Sequence, residues 1–517
     1  MTFEIVFVLL SLLGMVAALI ADKMRPGMIL FSVVVLFLCA GILTPKEMLE
    51  GFSNKGMITV ALLFLVSEGI RQSGTLGQVI KKLLPQGKTT VFKAQLRILP
   101  SVAFISAFLN NTPVVVIFAP IIKHWAKSVN LPATKFLIPL SYVTILGGIC
   151  TLIGTSTNLV VHGMILEAGF EGFSMFELGK VGIFIAIAGI IYIFLFSKRL
   201  LPDARPDTAV PDEEVEEGEK LHRVEAVLGA RFPGINKKLK DFNFQRHYGA
   251  EVKEIKTRNG QRFVSNLEEV VLHEGDTLVV MADDTFIPTW GESSVFVLLT
   301  NGNEPDTTGK KKRWFALLLL VLMIVGATVG ELPITKEMFP DIKLDMFFFV
   351  SITTIIMAWT ILFHARKYTK YISWDILITI ACAFAISKAM VNSGVADSVA
   401  KFIIGLSDDY GPHVLLAMVF IITNLFTELI TNNAAAALAF PLALSISAQL
   451  GVSPTPFFVV ICMAASASFS TPIGYQTNLI VQGIGNYKFT DFVRIGLPLN
   501  IITFLISIIL IPLIWNF

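Results

Sequence analysis

The chain alternates between long apolar runs and short polar breaks. Apolar runs fill residues 1–201 and 313–517, and a hydrophilic island covers residues 202–312 between them. Many of the runs have the roughly 17–25 residues that an α-helix needs to cross a bilayer. The pattern predicts a polytopic α-helical membrane protein with two transmembrane blocks and one inserted domain outside the membrane.

Polar residues interrupt two of the apolar regions where a membrane helix should continue. The interruptions are Asn110–Thr112 in the first block and Thr431–Asn433 in the second. Non-helical backbone at membrane depth is tolerated only where it is buried in protein or lines a cavity. We therefore expect two re-entrant hairpins, with these breaks at their tips, and we expect the tips to meet in mid-membrane.

A second break follows each hairpin. It covers Gly147-Gly148 and Gly154–Asn158 in the first block and Ser466–Asn478 in the second. Gly and Pro unwind a helix, so its freed N–H and C=O groups can serve an anion and a cation, respectively. Each block is therefore expected to contain one broken helix beside its hairpin.

The landmarks follow the same order in both blocks. Ser73-Gly74 matches Ser393-Gly394, and the hairpins and broken helices then match in turn. Lys and Arg in short loops mark the cytoplasmic side of a membrane protein; here they predict an external N-terminus and a second block that starts inside. The blocks are thus expected to form an inverted-topology repeat, an architecture on which many secondary transporters bind substrate at the membrane midplane.

Composition and charge exclude several classes of protein. Of the 517 residues, 54% are hydrophobic and 15% are charged, whereas soluble domains carry about 25% charge. The net charge of +2 favours no nucleic-acid partner. The four cysteines lie far apart in apolar segments and have no metal-ligand spacing. No nucleophile–base pair or metal cluster is evident, so an enzyme is not expected. Residues 1–21 lack the basic segment and the small-residue cleavage site of a cleavable signal peptide.

The residue types at the breaks indicate which ions they bind. Backbone carbonyls, hydroxyls and Asn oxygens suit Na⁺, while Ser and Thr hydroxyls, Asn amides and helix N-termini suit an anion. No Arg or Lys lies within the breaks, and an uncompensated dianion away from water is very unfavourable. Bound cations would supply the missing positive charge. The sequence therefore predicts cotransport of an anion with Na⁺.

The paired motifs resemble those of the divalent anion/sodium symporter family, in which Ser-Asn-Thr caps each hairpin and a Thr-Asn loop breaks a helix in each repeat. The resemblance covers both blocks. It implies an elevator-type transporter, usually dimeric, whose hairpin tips hold the anion and whose neighbouring carbonyls hold Na⁺. Asn110, Thr431 and Asn433 depart from the motif. The loop Gly154–Asn158 is similar to that of members regarded as sulfate transporters, rather than dicarboxylate carriers.

Two sets of candidate residues follow. The candidates for binding substrate are Asn110, Asn111, Thr112, Thr155, Ser156, Thr157, Thr431, Asn432, Asn433, Thr471 and Thr477. The candidates for binding Na⁺ are Asn111, Gly148, Gly154, Asn158, Asn432, Ser468, Gly474 and Asn478.

The island changes to a pattern that is typical of strands. After an acidic linker, Arg223–Leu228, Gly249–Lys256 and Leu278–Met281 are predicted strands, and Asn236–Leu239 is predicted to start a helix. An inserted α+β domain on the cytoplasmic side is therefore expected.

This order of elements, with the turn at Glu274–Asp276, resembles a TrkA-C-type domain, the C-terminal regulatory module of potassium-transport proteins. Such domains dimerise, and some bind cyclic di-AMP. Arg231, Arg246 and His247 are the candidate contacts for a phosphate-bearing ligand, and a role in dimerisation alone stays equally open.

The favoured function is Na⁺-coupled symport of a divalent oxyanion, with sulfate as the first choice, by a homodimer in the inner (plasma) membrane. A dicarboxylate substrate is one alternative. A proton or ion antiporter is another and needs a titrating carboxylate such as Glu428. A channel gated by the inserted domain is a third.

Overall fold

A computed structural model describes residues 3–21, 24–203, 222–229, 232–257, 261–283, 286–290, 295–300, 310–405 and 411–517. The acidic linker beyond residue 203 and the candidate ligand contact Arg231 lie outside the described residues.

The first block is entirely helical in its regular structure. Its helices are α1 (Phe3–Ala21), α2 (Pro26–Cys39), α3 (Pro45–Glu50), α4 (Lys55–Gln72), α5 (Thr75–Leu83), α6 (Val91–Ser106), α7 (Asn111–Ser128), α8 (Leu137–Gly148), α9 (Ser156–Glu167) and α10 (Gly179–Leu200).

Strands and short helices follow. They are β1 (His222–Leu228), α11 (Phe244–Tyr248), β2 (Glu251–Lys256), β3 (Arg262–Phe263), β4 (Thr277–Ala282), α12 (Phe286–Trp290) and β5 (Phe296–Thr300).

The second block is again helical. Its helices are α13 (Lys310–Gly330), α14 (Pro333–Met338), α15 (Met346–Trp359), α16 (Tyr368–Tyr371), α17 (Trp374–Asn392), α18 (Val395–Gly405), α19 (Gly411–Leu429), α20 (Asn432–Leu450), α21 (Thr455–Ser466), α22 (Gln476–Gly485) and α23 (Phe489–Ile514).

Eight helical segments of the described residues are long and apolar enough to cross a membrane. This finding confirms the prediction of a multi-pass, mostly helical membrane protein. Other apolar runs form shorter helices: α8 and α9 have 12 residues each. Such a helix is about 18 Å long, which is less than the roughly 30 Å of a hydrocarbon core.

The broken helices lie at the centre of the molecule. Every residue of α8 is buried, and so is every residue of α21 except Thr455. Gly147 lets α8 approach α6, because a Cβ at this position would lie 2.1 Å from the carbonyl oxygen of Ala103. By contrast, many side chains of α1 are exposed, as expected of a helix that faces lipid.

The five strands form one antiparallel sheet with the order β3-β2-β4-β1-β5. The three predicted strands correspond to β1, β2 and β4. An aromatic cluster that includes Phe232, Phe242 and Tyr248 packs beside the sheet. We call this five-stranded unit, residues 222–300, the sheet module.

The predicted helix start at Asn236–Leu239 is wrong. Asn236 has a left-handed backbone (φ 61°), and only a single 3₁₀ turn, Leu239–Asp241, follows. The segment instead pairs with the chain before β4: Asn236 N donates to the Leu272 carbonyl at 2.7 Å, and Lys238 bridges Val271. Long-range backbone pairing thus overrides the local helix signal.

The sheet module packs against α7 and α22. The ammonium of Lys123, on α7, lies 3.0 Å from the carboxylate of Glu225, on β1. A Cβ on Gly483, in α22, would lie 2.5 Å from the hydroxyl of Thr277, on β4. Burial by itself would raise the pKa of Glu225, but Lys123, Lys256 and Arg223 lower it to about 2. Glu225 is therefore charged at neutral pH, and it joins the module to α7.

We expect Glu225→Gln to weaken this contact. Removing one partner of a fully buried ion pair costs about 3–5 kcal/mol, and this pair is largely but not fully buried, so the cost should approach the lower end of that range. Fluorescence-detected thermal unfolding and limited proteolysis of the purified protein measure the effect. The matched control is Glu251→Gln, which removes an exposed pair with Lys253 of the kind worth about 0–1 kcal/mol. Equal melting temperatures for the two variants would contradict the assignment.

The same ion pair predicts a pH dependence. The folded-state pKa of Glu225, about 2, lies below its ordinary value of 4.5. Its stabilising contribution is therefore complete above about pH 4.5 and is lost as the pH falls towards 2. Glu225→Gln should remove this acid-dependent component, so the melting temperatures of wild type and variant should converge at low pH.

Candidate functional site

Four helices begin at the breaks, and none is capped by its own N-cap side chain. The N-cap residues are Asn110 for α7, Thr155 for α9, Thr431 for α20 and Tyr475 for α22. A helix N-terminus carries unsatisfied N–H groups and a partial positive charge. These four positions therefore retain their capacity to bind negative charge.

The four N-termini meet in two pairs, and each pair joins the two halves of the chain. At the start of α7, the Asn111 amide donates to the Tyr475 hydroxyl at 2.6 Å, and the Thr112 hydroxyl lies 3.3 Å from the Gln476 side chain, on α22. At the start of α9, the Ser156 and Thr157 hydroxyls lie 3.3 and 3.2 Å from the Asn433 oxygen, on α20.

A further contact links the two pairs. The Tyr475 hydroxyl lies 3.1 Å from the Thr155 hydroxyl, and Asn432 also contacts it. The hairpin tips and the helix breaks thus form one continuous polar region, which we call the junction. The side chains in these contacts are neutral hydroxyls and amides, and the four helix N-termini add partial positive charge.

The two halves stabilise their hairpin tips with corresponding hydrogen bonds. The Ser106 hydroxyl donates to the Asn111 oxygen at 2.7 Å, and the Thr427 hydroxyl donates to the Asn432 oxygen at 2.8 Å. In each half the hydroxyl precedes the Asn by five residues, on the helix that enters the tip.

The helix breaks are also built alike. The Thr151 hydroxyl accepts from Gly154 N at 3.1 Å, and the Thr471 hydroxyl accepts from Gly474 N at 3.2 Å. The Asn158 amide donates to the Thr151 carbonyl at 2.9 Å, and its counterpart, Asn478, donates to the Thr471 carbonyl at 3.1 Å. The same residue types therefore satisfy the unwound backbone in both breaks.

Oxygen atoms crowd the first hairpin tip. A Cβ on Gly148 would lie 2.7 Å from the Asn111 oxygen, and a Cβ on Gly154 would lie 2.5 Å from the Gly148 carbonyl and 3.0 Å from the Ala107 carbonyl. The buried oxygen Oδ1 of Asn158 has no hydrogen-bond partner within the described part of the chain. We call Asn111, Ala107, Gly148 and Gly154 the first oxygen cluster.

A second oxygen cluster surrounds Gly474. A Cβ there would lie 1.9 Å from the Ser468 hydroxyl and 2.8 Å from the Thr427 carbonyl. The Thr427 hydroxyl is held by both Asn432 and the Ala465 carbonyl. Thr427, Asn432, Ser468 and Gly474 make up this cluster, and their oxygens are the ligands that hard cations prefer.

The candidates Thr471 and Thr477 make hydrogen bonds around the second helix break and do not take part in the contacts at the hairpin tips described above. Thr471 Oγ1 donates to the Glu428 carbonyl at 3.2 Å, and Thr477 Oγ1 lies 2.8 Å from the Ser141 hydroxyl, on α8. Asn110 and Thr431 are partly buried N-cap residues, and the buried Thr431 hydroxyl has no hydrogen-bond partner among the residues described.

Sequence reasoning left four junction residues out of the candidate sets. Ser106 and Thr427 carried a signal, namely a hydroxyl five positions before the hairpin Asn in both halves. For Tyr475 and Gln476 the local sequence contains no such signal, because their partners lie on the first hairpin, far away in the sequence.

Glu428 is an acceptor for the second break. Its carboxylate accepts from Ser470 N and Thr471 N, each at 2.9 Å, and from the Asn500 amide at 2.7 Å. The carboxylate thus stabilises the loop that leads to Gly474.

Two of the candidate ligand contacts of the sheet module lie on one short helix. Arg246 and His247 are exposed on α11. Asn243 caps that helix through Arg246 N at 2.9 Å, and the His247 ring stacks on Phe242 with 4.8 Å between centroids.

Comparisons with known proteins place the chain among transporters. The citrate transporter family (CitMHS) matches residues 16–455 and 342–516. An uncharacterized transporter of Synechocystis, sll0640, is 30% identical over 94% of this chain and 93% of its own length. The probable sodium/sulfate cotransporter 3 of Chlamydomonas reinhardtii is 23% identical over 93% of this chain and 85% of its own length.

The fold is also similar to that of a solved transporter structure. The crystal structure of the YdaH transporter of Alcanivorax borkumensis, described as having an unusual topology, aligns with a TM-score of 0.52 and 12% identity, covering 99% of this chain and 98% of that one. These relatives are transporters, in line with the expectation that the chain is not an enzyme.

Gly154→Ala should destabilise the protein, because the new Cβ would lie 2.5 Å from the Gly148 carbonyl and overpacking of this kind costs about 1–3 kcal/mol. The control is Gly14→Ala in α1, where nothing lies within 4 Å of the added atom. Thermal unfolding of the purified proteins should give a lower melting temperature for Gly154→Ala alone. An unchanged melting temperature would show that the first oxygen cluster is looser than the structure indicates.

Proposed function

Because the chain belongs to the citrate transporter family, CitMHS, we propose that it is a sodium-coupled secondary transporter that carries a divalent oxyanion, with sulfate as the favoured substrate. The junction is the proposed anion site. The observation that carries the proposal is the meeting of four helix N-termini, none capped by its own N-cap side chain, at one polar region.

The proposed anion contacts are the junction groups that can donate a hydrogen bond. Asn111, Thr112, Thr155, Ser156 and Asn432 are the side chains concerned, and the N–H groups of the first helical turns add to them. None of these side chains carries positive charge. Because dipoles and neutral donors compensate a dianion only in part, bound cations are needed to complete the charge balance.

The two oxygen clusters are the proposed Na⁺ sites. Each combines at least one backbone carbonyl with a hairpin Asn, and the second cluster adds the hydroxyls of Thr427 and Ser468. Each cluster lies directly beside a hairpin tip. Asn111 and Asn432 belong both to an oxygen cluster and to the junction. A cation bound at the amide oxygen would therefore orient the amide nitrogen towards the anion. Anion affinity and Na⁺ concentration are then thermodynamically linked, with equal effects in both directions.

Sulfate is favoured over a dicarboxylate for two reasons. A relative that aligns with most of the chain bears the name of a sodium/sulfate cotransporter, and the loop Gly154–Asn158 is of the type associated with sulfate carriers. A dicarboxylate or tricarboxylate is the second candidate, since the family is named for citrate. Competition between succinate and labelled sulfate separates these substrates.

Alternating access is proposed to follow the pseudo-symmetry of the chain. Corresponding hydrogen bonds in the two halves, at Asn111 and Asn432 and again at Asn158 and Asn478, support two repeats. With the loop charges, they favour inverted repeats and an external N-terminus. The resemblance to the divalent anion/sodium symporter family implies, in addition, an elevator-type motion in a homodimer. Such repeats rock or slide around a shared midplane site.

The sheet module is proposed to be cytoplasmic and regulatory, as its resemblance to a TrkA-C-type domain implies, with cyclic di-AMP as a possible type of ligand and self-association as the alternative role. Its contacts with α7 and α22 support this, because the N-termini of these two helices belong to the junction. A ligand that moves the module would therefore act on the proposed anion site.

A proton or ion antiporter is the alternative from another class. It would require Glu428 to lose and gain a proton during transport, whereas three N–H donors now contact its carboxylate. Transport that is abolished by Glu428→Gln and has no sodium dependence would favour the antiporter.

We expect proteoliposomes that contain the protein to accumulate labelled sulfate when an inward Na⁺ gradient is imposed, and Asn111→Ala to reduce uptake to background. The matched control is Asn392→Ala, an amide at the end of α17 that contacts the Ile42 carbonyl and Glu47. Uptake that is independent of Na⁺ would contradict symport. Uptake that is lost equally in both variants would remove the evidence for the junction.

Thr427→Val should raise the Na⁺ concentration that gives half-maximal uptake, because it removes the hydroxyl that holds Asn432 in the second oxygen cluster. Loss of such a hydrogen bond costs about 0.5–1.5 kcal/mol, or roughly a two- to twelvefold change. The control, Thr354→Val, removes a buried hydroxyl that bonds only to the Val350 carbonyl of its own helix. Identical Na⁺ dependence in both variants would argue against this site.

A further inference from the structure

The two helix breaks differ at two corresponding junction positions, which are Thr155 and Tyr475 at the N-cap and Ser156 and Gln476 after it. Thr155 and Tyr475 are the N-cap residues of α9 and α22, and their backbones match: φ −137° and ψ 144° for Thr155, φ −140° and ψ 134° for Tyr475. One half therefore has a small hydroxyl residue where the other has a phenol. The phenol hydroxyl reaches the tip of the first hairpin.

The hydrogen bonds around Tyr475 determine which way its hydroxyl proton can point. Ser106 donates to the Asn111 oxygen at 2.7 Å, so the Asn111 amide nitrogen is directed at the Tyr475 hydroxyl, 2.6 Å away. Tyr475 is thus the acceptor of this bond.

Asn432 also contacts the Tyr475 hydroxyl, and its oxygen already accepts from Thr427, so its amide is a second donor to Tyr475. A phenol has a single proton, and that proton remains for the longer contact, 3.1 Å, with Thr155.

Thr155 does not need this proton, because its own hydroxyl can turn and donate to Tyr475 instead. An anion oxygen at the junction would be a better partner for the phenol, since hydrogen bonds to charged acceptors are roughly twice as strong as neutral ones. The arrangement therefore orients one neutral donor towards a bound oxyanion.

We propose that Tyr475 is the residue that restricts the site to compact tetrahedral oxyanions. Its hydroxyl donates to one anion oxygen, and its ring occupies space at the junction that a threonine leaves open. An extended four-carbon dicarboxylate needs that space for its second carboxylate. The inference rests on the proposed function, and it assigns substrate selection within that function to one side chain of the second half.

Two substitutions separate the hydroxyl from the ring. Tyr475→Phe keeps the ring and removes the proton, so the KM for sulfate should rise by about tenfold or more while succinate stays excluded. Tyr475→Thr introduces the residue of the first half, so succinate should become a competitor. The ratio of the inhibition constant of succinate to the KM for sulfate should fall at least tenfold.

The matched control is Tyr192→Phe on α10, whose hydroxyl donates to the Ile495 carbonyl at 3.0 Å and contacts none of the junction residues. It should leave both the sulfate KM and the succinate ratio unchanged. The selectivity ratio is the decisive readout, because a folding defect lowers the amount of active protein without changing a ratio of affinities.

The experiment distinguishes this proposal from the proposed function. Wild-type uptake of sulfate driven by Na⁺ tests the function by itself. If wild type takes up sulfate but Tyr475→Thr excludes succinate as strictly as wild type does, the selectivity proposal alone is wrong. If wild type takes up succinate and not sulfate, both are wrong.

If the variants are inactive in uptake, a binding measurement replaces the uptake assay. It measures the thermal stabilisation of purified protein by sulfate or succinate at saturating Na⁺. Stabilisation of Tyr475→Thr by both anions, and of wild type by sulfate alone, supports the proposal. Stabilisation of both proteins by the same anions, or by neither anion, overturns it.

Discussion

Backbone polar groups at membrane depth must find partners inside the protein, and this constraint decides where the helices of this chain can break. Each break is tolerated because side chains replace the lost helical bonds. Asn158 and Asn478 hold the carbonyls of the unwound segments, and the Glu428 carboxylate takes two backbone N–H groups of the second break. The same polar side chains that make the breaks possible leave four helix N-termini directed at one region.

A site of this kind is strong in dipoles and poor in charge. A lysine or arginine would supply positive charge to an anion directly, whereas in the proposed site neutral amides and hydroxyls leave part of that charge to be supplied by nearby cations. The hairpin residues Asn111 and Asn432 connect the two requirements, because each is held by a hydroxyl through its oxygen and also contacts Tyr475. In the proposed symport, this shared use of one side chain is the physical origin of coupling.

Helix α7 connects this site with the sheet module. Its first residue, Asn111, lies at the junction, and Lys123 near its other end pairs with the largely buried Glu225. A packed helix transmits displacement along its axis better than a loop does, and α22 offers a second route through Gly483 and Thr277. Coupling between the sheet module and the junction would require the module to move between two states.

Local patterns in the sequence determined the class of the protein: the apolar runs, the two hairpin breaks with their amides and hydroxyls, and three of the strands. These features depend only on residues that are close together in the sequence. The pattern of apolar and polar residues within one segment is therefore enough to predict them. Contacts between residues hundreds of positions apart were decided by tertiary structure alone. Tyr475 contacts Asn111, and Thr477 pairs with Ser141. At shorter range, the segment at Asn236 pairs with Leu272 instead of forming the predicted helix. Hydrophobic periodicity carries no information about which distant partner satisfies a polar group, because that choice is made by packing.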